Sequence, residues 1–121
     1  MRRLLGLLLV APAAQACELP GGAAQAIRSP THTVLYRAAP RLNQHFAVEF
    51  AVCPAPDSVR VDAWMPAHRH GMNYAPALKA LGGGRYLAEG LLFHMPGEWE
   101  FVFVLRAGGA TQRLVRGMRV E

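Results

Sequence analysis

The chain has 121 residues, 52% of them hydrophobic and 17% charged, with a formal net charge of +5. That length holds one small domain. It excludes a dinucleotide fold with a separate substrate domain, a kinase or a barrel enzyme. This much apolar content with so little charge also excludes a disordered chain.

Residues 1–16 read MRRLLGLLLVAPAAQA. Arg2 and Arg3 open the segment, Leu4–Val10 is a short apolar run, and Ala14-Gln15-Ala16 has the small-x-small form of a cleavage site. The pattern is that of a secretory signal peptide. The run is too short to span a bilayer, which takes about 20 residues. Removing the two arginines lowers Lys+Arg from 13 to 11 against 8 Asp+Glu, a net +3. Export and this weaker charge argue against a nucleic-acid partner. The expected location is periplasmic or secreted, with no transmembrane segment in the mature chain.

Cys17 and Cys53 are the only cysteines. An even count in an exported chain predicts one disulfide. Closing a loop of roughly 37 residues would stabilise by about 3.8 kcal/mol on the chain-entropy estimate. Lipidation of Cys17 is the alternative, although Ala14-Gln15-Ala16-Cys17 matches a lipoprotein site poorly. Neither cysteine lies in a CxxC or CxxCH motif, which argues against a redox dithiol and covalent haem.

Residues 17–30 are rich in Gly, Ala and Pro and read as a flexible arm. From residue 31 to 121 the chain reads as short strands between turn signals. They are Thr31–Arg37, His45–Val52, Ser58–Trp64, Gly84–Phe93, Glu98–Leu105 and Thr111–Val120. Period-2 alternation is clearest at Val59, Val61 and Ala63 and at Trp99, Phe101, Phe103 and Leu105, as expected of half-buried strands. Ala75–Leu81 can be a helical turn or a crossing strand. Six to seven strands at this spacing predict an all-β, antiparallel β-sandwich of immunoglobulin-like or cupredoxin-like kind.

One stretch concentrates the chemistry. Trp64-Met65-Pro66-Ala67-His68-Arg69-His70-Gly71-Met72-Asn73 holds two imidazoles and two thioethers, and a second pair, His94-Met95, precedes Pro96-Gly97. Thioether sulfur is soft and selects Cu(I), whereas imidazole serves both copper oxidation states. Zinc favours Cys, His and carboxylate, and iron–sulfur clusters need thiolates. In extended backbone His68, His70 and Met72 would project to one side, and Pro66 and Gly71, which break regular structure, place the stretch in a loop at a strand end where ligands can converge. A plain hairpin over Met65–Gly83 would leave His94 at the opposite end of the sandwich. A segment of 19 residues is long for a structureless loop. The expected arrangement is that Asn73–Leu81 crosses back over the body, so that the next strand returns His94-Met95 to the end that carries His68 and His70. Met95-Pro96-Gly97-Glu98 fits a type II turn. The donors this predicts are His68, His70, Met72 and His94, with Met95 and Met65 in reserve; Met65 and Met95 are equally good core fillers.

Residues 58–105 resemble the YtkA-like domain family, related to FixH-type periplasmic proteins. The likeness rests on Met-Pro-x-His-x-His-Gly-Met and on the later Phe-His-Met-Pro-Gly-Glu-Trp. The family's first motif falls on Met65, Pro66, His68, His70 and Met72, and its second on Met95, Gly97 and Trp99. The resemblance implies a small exported β-sandwich with a role in copper handling or cytochrome oxidase maturation. The chain departs from FixH-type members in lacking a retained anchor, which favours a soluble carrier.

The functional expectation is a periplasmic copper-binding protein of chaperone or resistance type, holding one copper, with Cu(I) favoured. Its partner would be a copper-accepting envelope protein or oxidase assembly machinery. The alternative is a metal-free adaptor or assembly module for an envelope or respiratory complex. The scattered acids form no Ser-His-Asp or Cys-His grouping, and Gly82-Gly83-Gly84 precedes a strand rather than a helix, so no enzyme is expected.

Overall fold

The computed structural model of the chain describes Gly6 and residues 17–121. Apart from Gly6, the segment read as a signal peptide lies outside the described residues. The described chain forms nine strands and no helix: β1 (Gln25–Arg28), β2 (Thr33–Ala38), β3 (His45–Cys53), β4 (Ser58–Met65), β5 (His70–Gly71), β6 (Ala77–Gly82), β7 (Arg85–Leu92), β8 (Gly97–Ala107) and β9 (Ala110–Val120). They build two antiparallel sheets, β1-β2-β3-β7-β6 and β5-β4-β8-β9. The protein is an all-β sandwich.

Alternation decides which face each strand buries. In β4, Val59, Val61, Ala63 and Met65 are buried and the residues between them are exposed. Across the register of β8 they meet Leu105, Phe103 and Phe101, all within 1% of full burial. The facing sheet contributes Val34, Val48, Phe50, Leu91 and Phe93 to the same core. Each such side chain, fully buried, contributes about 1.5–3 kcal/mol relative to exposure. Phe50 and Phe103 meet edge to face at 5.2 Å between ring centres, tying sheet to sheet.

Nine strands replace the six or seven expected, and the extra ones lie where the pattern was least regular. Residues 17–30 are not a free arm. Gln25–Arg28 pairs with β2, and the Arg37 guanidinium donates to the carbonyls of Leu19, Pro20, Gly22 and Ala23. A single cation thereby satisfies four carbonyls that small residues could not satisfy with their own side chains. A disulfide joins Cys17 to Cys53, with 5.5 Å between their Cα atoms. This uses the sulfur that a lipid thioether would need, and it is compatible with an oxidising compartment. No described helix is long and apolar enough to cross a membrane.

The segment between β4 and β7 does cross from one sheet to the other. β5 extends the edge of one sheet beside β4, and β6 forms the edge of the other beside β7. Ala75–Leu81 therefore contributes a strand, not a helical turn. After the crossing, the end of β7 lies at the same pole as the end of β4.

Candidate functional site

The first motif is the expected loop at a strand end, closed as a hairpin. β4 pairs with β5 through Trp64–Gly71 and Met65–His70. Between them Pro66–Arg69 forms a tight turn, in which the His68 amide donates to the Met65 carbonyl and the Arg69 amide to that of Pro66. Arg69 closes the turn in the left-handed region, at φ 52°. Four-residue hairpin loops are commonly built this way. The extended i, i+2, i+4 arrangement expected for His68, His70 and Met72 is absent, because Pro66 sets the backbone for a turn and His68 sits at its tip.

The second motif is aimed by a bulge. Phe46 pairs with Leu91, yet Val48 pairs with Ala88, so β7 carries one residue more than β3 over this interval. Gly90 takes it up at φ 84°, a conformation that L side chains rarely adopt. The shift reverses the alternation: Ala88 faces the core, and beyond the bulge Leu91 and Phe93 do so in place of Leu92 and His94. The Asn43 amide then holds the Phe93 carbonyl at 2.8 Å. The expected type II turn at Met95–Glu98 is replaced by a bend at Met95, and β8 starts at Gly97, at φ 132°. A Cβ on Gly97 would stand 3.0 Å from the Met65 methyl, so the backbone here lies directly on the core.

These two devices bring three imidazoles into a file. The ring centres of His68 and His70 are 5.7 Å apart, and those of His70 and His94 are 5.3 Å apart. His68 is exposed, whereas His70 and His94 are half-buried. The fully buried Trp99 supports the inner pair, meeting His70 at 6.1 Å and His94 at 5.7 Å, both edge-on. Trp99 is itself held on two sides. Its indole stacks on Phe93 at 4.4 Å, and its Nε1–H donates to the Met95 carbonyl at 2.9 Å.

Hydrogen bonding distinguishes the ring nitrogens. His70 Nδ1 lies 3.1 Å from the Gly71 carbonyl, a bond that only an Nδ1–H can make. In the neutral ring that tautomer leaves the lone pair on Nε2. A backbone carbonyl commonly orients a metal-binding imidazole in this manner. His94 Nδ1 is buried and has no hydrogen-bond partner, the only such side-chain nitrogen or oxygen among the described residues. With a metal–nitrogen bond of about 2 Å, two imidazoles on one ion would stand roughly 5–6 Å apart between ring centres. The spacings of both neighbouring pairs fall in that range.

The methionines divide differently. Met65 is 1% exposed inside the core cluster, so its place is that of a filler and not of a reserve donor. Met72 and Met95 are half-buried against the edge of the core. Trp64 points away from the core and donates its Nε1–H to Glu100 at 3.3 Å. Among the described residues no three His, Cys, Asp or Glu side chains form a group that could hold a metal ion. A metal at this pole would therefore need thioether sulfur beside an imidazole pair. The sequence reading placed Trp99 in the core and missed its second role as the floor of the imidazole pair. Its position two residues after Gly97, following His94-Met95, is the signal that was present.

No family model, no curated protein and no solved structure matches the chain.

Proposed function

We propose that this protein is an exported copper carrier of the chaperone or resistance type. In this reading one copper, as Cu(I), binds through His70 and His94, with sulfur from Met72 or Met95. His68, exposed at the turn tip, is the outer donor through which metal enters and leaves. The observation that carries the proposal is the His70–His94 pair, with a buried, unpartnered Nδ1 on His94. A buried nitrogen without a partner costs about 1–3 kcal/mol, and a bound ion would remove that cost. Imidazole with thioether is a donor set suited to Cu(I). A blue-copper electron carrier would need a thiolate, and both cysteines are in the disulfide. The periplasmic location, the signal peptide and the likeness to YtkA-like proteins belong to the same proposal, and the disulfide supports an oxidising compartment.

The absence of three converging nitrogen, oxygen or thiolate donors among the described residues favours the second reading, a metal-free adaptor for an envelope complex. One experiment separates the two. The purified protein is titrated with Cu(I) against a chromogenic chelator, alongside His70→Ala, His94→Ala and Met72→Leu/Met95→Leu. A carrier competes for one equivalent and loses about tenfold or more of its affinity in each histidine variant. An adaptor competes no better than its variants.

A further inference from the structure

The outer face of the β4–β8–β9 sheet carries an open cleft of about 580 Å³. Its floor follows from the register. Arg60, Val104 and Arg113 form one cross-strand row, and Asp62, Val102 and Val115 form the next. Directly opposed residues share a face, and their chain neighbours Val61, Phe103 and Leu114 occupy the core face. The crossing segment walls one side with Met72, Tyr74 and Leu78.

Two properties combine at this surface. Five large hydrophobic side chains stay exposed among the described residues. Trp64 (37%), Tyr74 (53%) and Leu78 (40%) line the cleft and Val115 (39%) adjoins it beside Val102, while the fifth, Leu81 (56%), lies outside its lining. Apolar exposure gathered in one place marks an interaction site, whereas scattered exposure does not. Secondly, Arg60 and Arg113, like most arginines among the described residues, make no ion pair, and here they flank that apolar exposure. The one carboxylate lining the cleft, Asp62, accepts the Ala63 amide at 2.8 Å. Trp, Tyr and Arg side by side are the residue types that dominate protein interfaces.

We propose that the cleft docks an extended segment of a partner protein that alternates acidic and apolar residues. Its carboxylates would pair with Arg60 and Arg113, and its apolar side chains would cover Val104, Tyr74 and Trp64. The unpaired guanidinium groups set the charge, since Arg binds carboxylate through a two-pronged fork. The openness sets the size: small-molecule sites enclose 70–90% of their ligand, and the residues here are too exposed for that. Gly71 and Met72 line the cleft and also continue the histidine hairpin. A docked segment would thus lie beside the donor pole. Identifying the partner as the copper recipient rests on the carrier reading; the docking itself does not.

The test uses metal-free, isotope-labelled protein and a short capped peptide alternating Glu and Leu, with its Gln–Leu counterpart as control. Binding should shift the Trp64 indole N–H and the amides of Arg60, Asp62, Val102 and Tyr74, leaving the buried Trp99 indole in place. Affinity should fall about tenfold or more in Arg60→Glu/Arg113→Glu and weaken with salt. That variant should retain the wild-type Cu(I) competition, so failure of docking and failure of copper binding are read separately. Equal binding of the Gln–Leu peptide, shifts elsewhere on the surface, or full affinity in the charge-reversed variant each overturns the proposal. So does binding of an isolated aromatic carboxylate as tightly as the acidic peptide.

Discussion

The two poles of the sandwich each hold a histidine away from solvent and treat it oppositely. At the disulfide pole His32 is 8% exposed, and its Nδ1 is matched by Thr31 Oγ1 at 2.9 Å and Gln112 Nε2 at 3.3 Å. Around it, Cys17 is bonded to Cys53, and Asp57 accepts the Gly108 amide at 3.1 Å. At the other pole His94 Nδ1 is buried with no partner, beside a second imidazole whose Nε2 is free. Polar groups at the first pole hold strands together. At the second they are held in place by Trp99 and left open to something else. Burial of a histidine therefore says little about its role; the partner of each ring nitrogen says more.

The largest expected effect lies at the closed pole. The disulfide joins residues 36 apart, and removing it by Cys17→Ser/Cys53→Ser should cost about 4 kcal/mol on the chain-entropy estimate. The denaturation midpoint measures this. Below the transition the variant should compete for Cu(I) as the wild type does, and a parallel loss of copper competition would break the separation of the poles.

A crossed pair of substitutions sharpens the contrast. His32→Ala removes the ring nitrogen that Thr31 and Gln112 share, although those two still bond each other at 2.6 Å, and should cost about 0.5–1.5 kcal/mol with unchanged copper competition. His94→Leu removes an unsatisfied nitrogen, so stability without metal should hold or rise, while Cu(I) affinity drops about tenfold or more. Equal destabilisation by both would mean that His94 is structural.

A smaller effect is expected at the turn tip. His68→Ala should change the rate at which a chelator exchanges copper more than the affinity, as stopped-flow absorbance would show. The smallest concerns Tyr36, whose hydroxyl is pushed above its ordinary value of 10.0 by burial, with nearby Arg116 opposing. A raised folded value means that this contribution is present below the unfolded value and lost as pH rises through the folded one. Tyr36→Phe should therefore flatten the alkaline loss of stability seen in denaturation profiles above about pH 10.

Legibility in the sequence followed the regularity of the local pattern. The core faces of β4 and β8 could be read directly, because Val59, Val61 and Ala63 and then Trp99, Phe101 and Phe103 recur with the strand period. β1 was hidden in a Gly, Ala and Pro stretch, since its order comes from pairing with β2 and from the distant Arg37. The bulge at Gly90 was hidden for a different reason. A glycine within a strand signals that something is unusual, but which later side chains it turns inward depends on the register with β3. The break at Pro66 was legible as a loop at a strand end, but the tight hairpin that puts His68 at its tip was not, because proline suits both turn and extended conformations.

By itself the sequence determined the donor types, the alternation of the long strands and the two sulfurs available for pairing. These are properties of residue identity and local period, and they do not depend on distant contacts. The long segment before β7 already called for His70 and His94 at one pole; only the tertiary structure decided that they stand on the edge of Trp99, that Met65 is core, and that Arg60 and Arg113 flank an open cleft. The crossing from β5 to β6 and a one-residue shift in β7 set those relations. Both are matters of which strand pairs with which, settled by how the two sheets bury their apolar faces together.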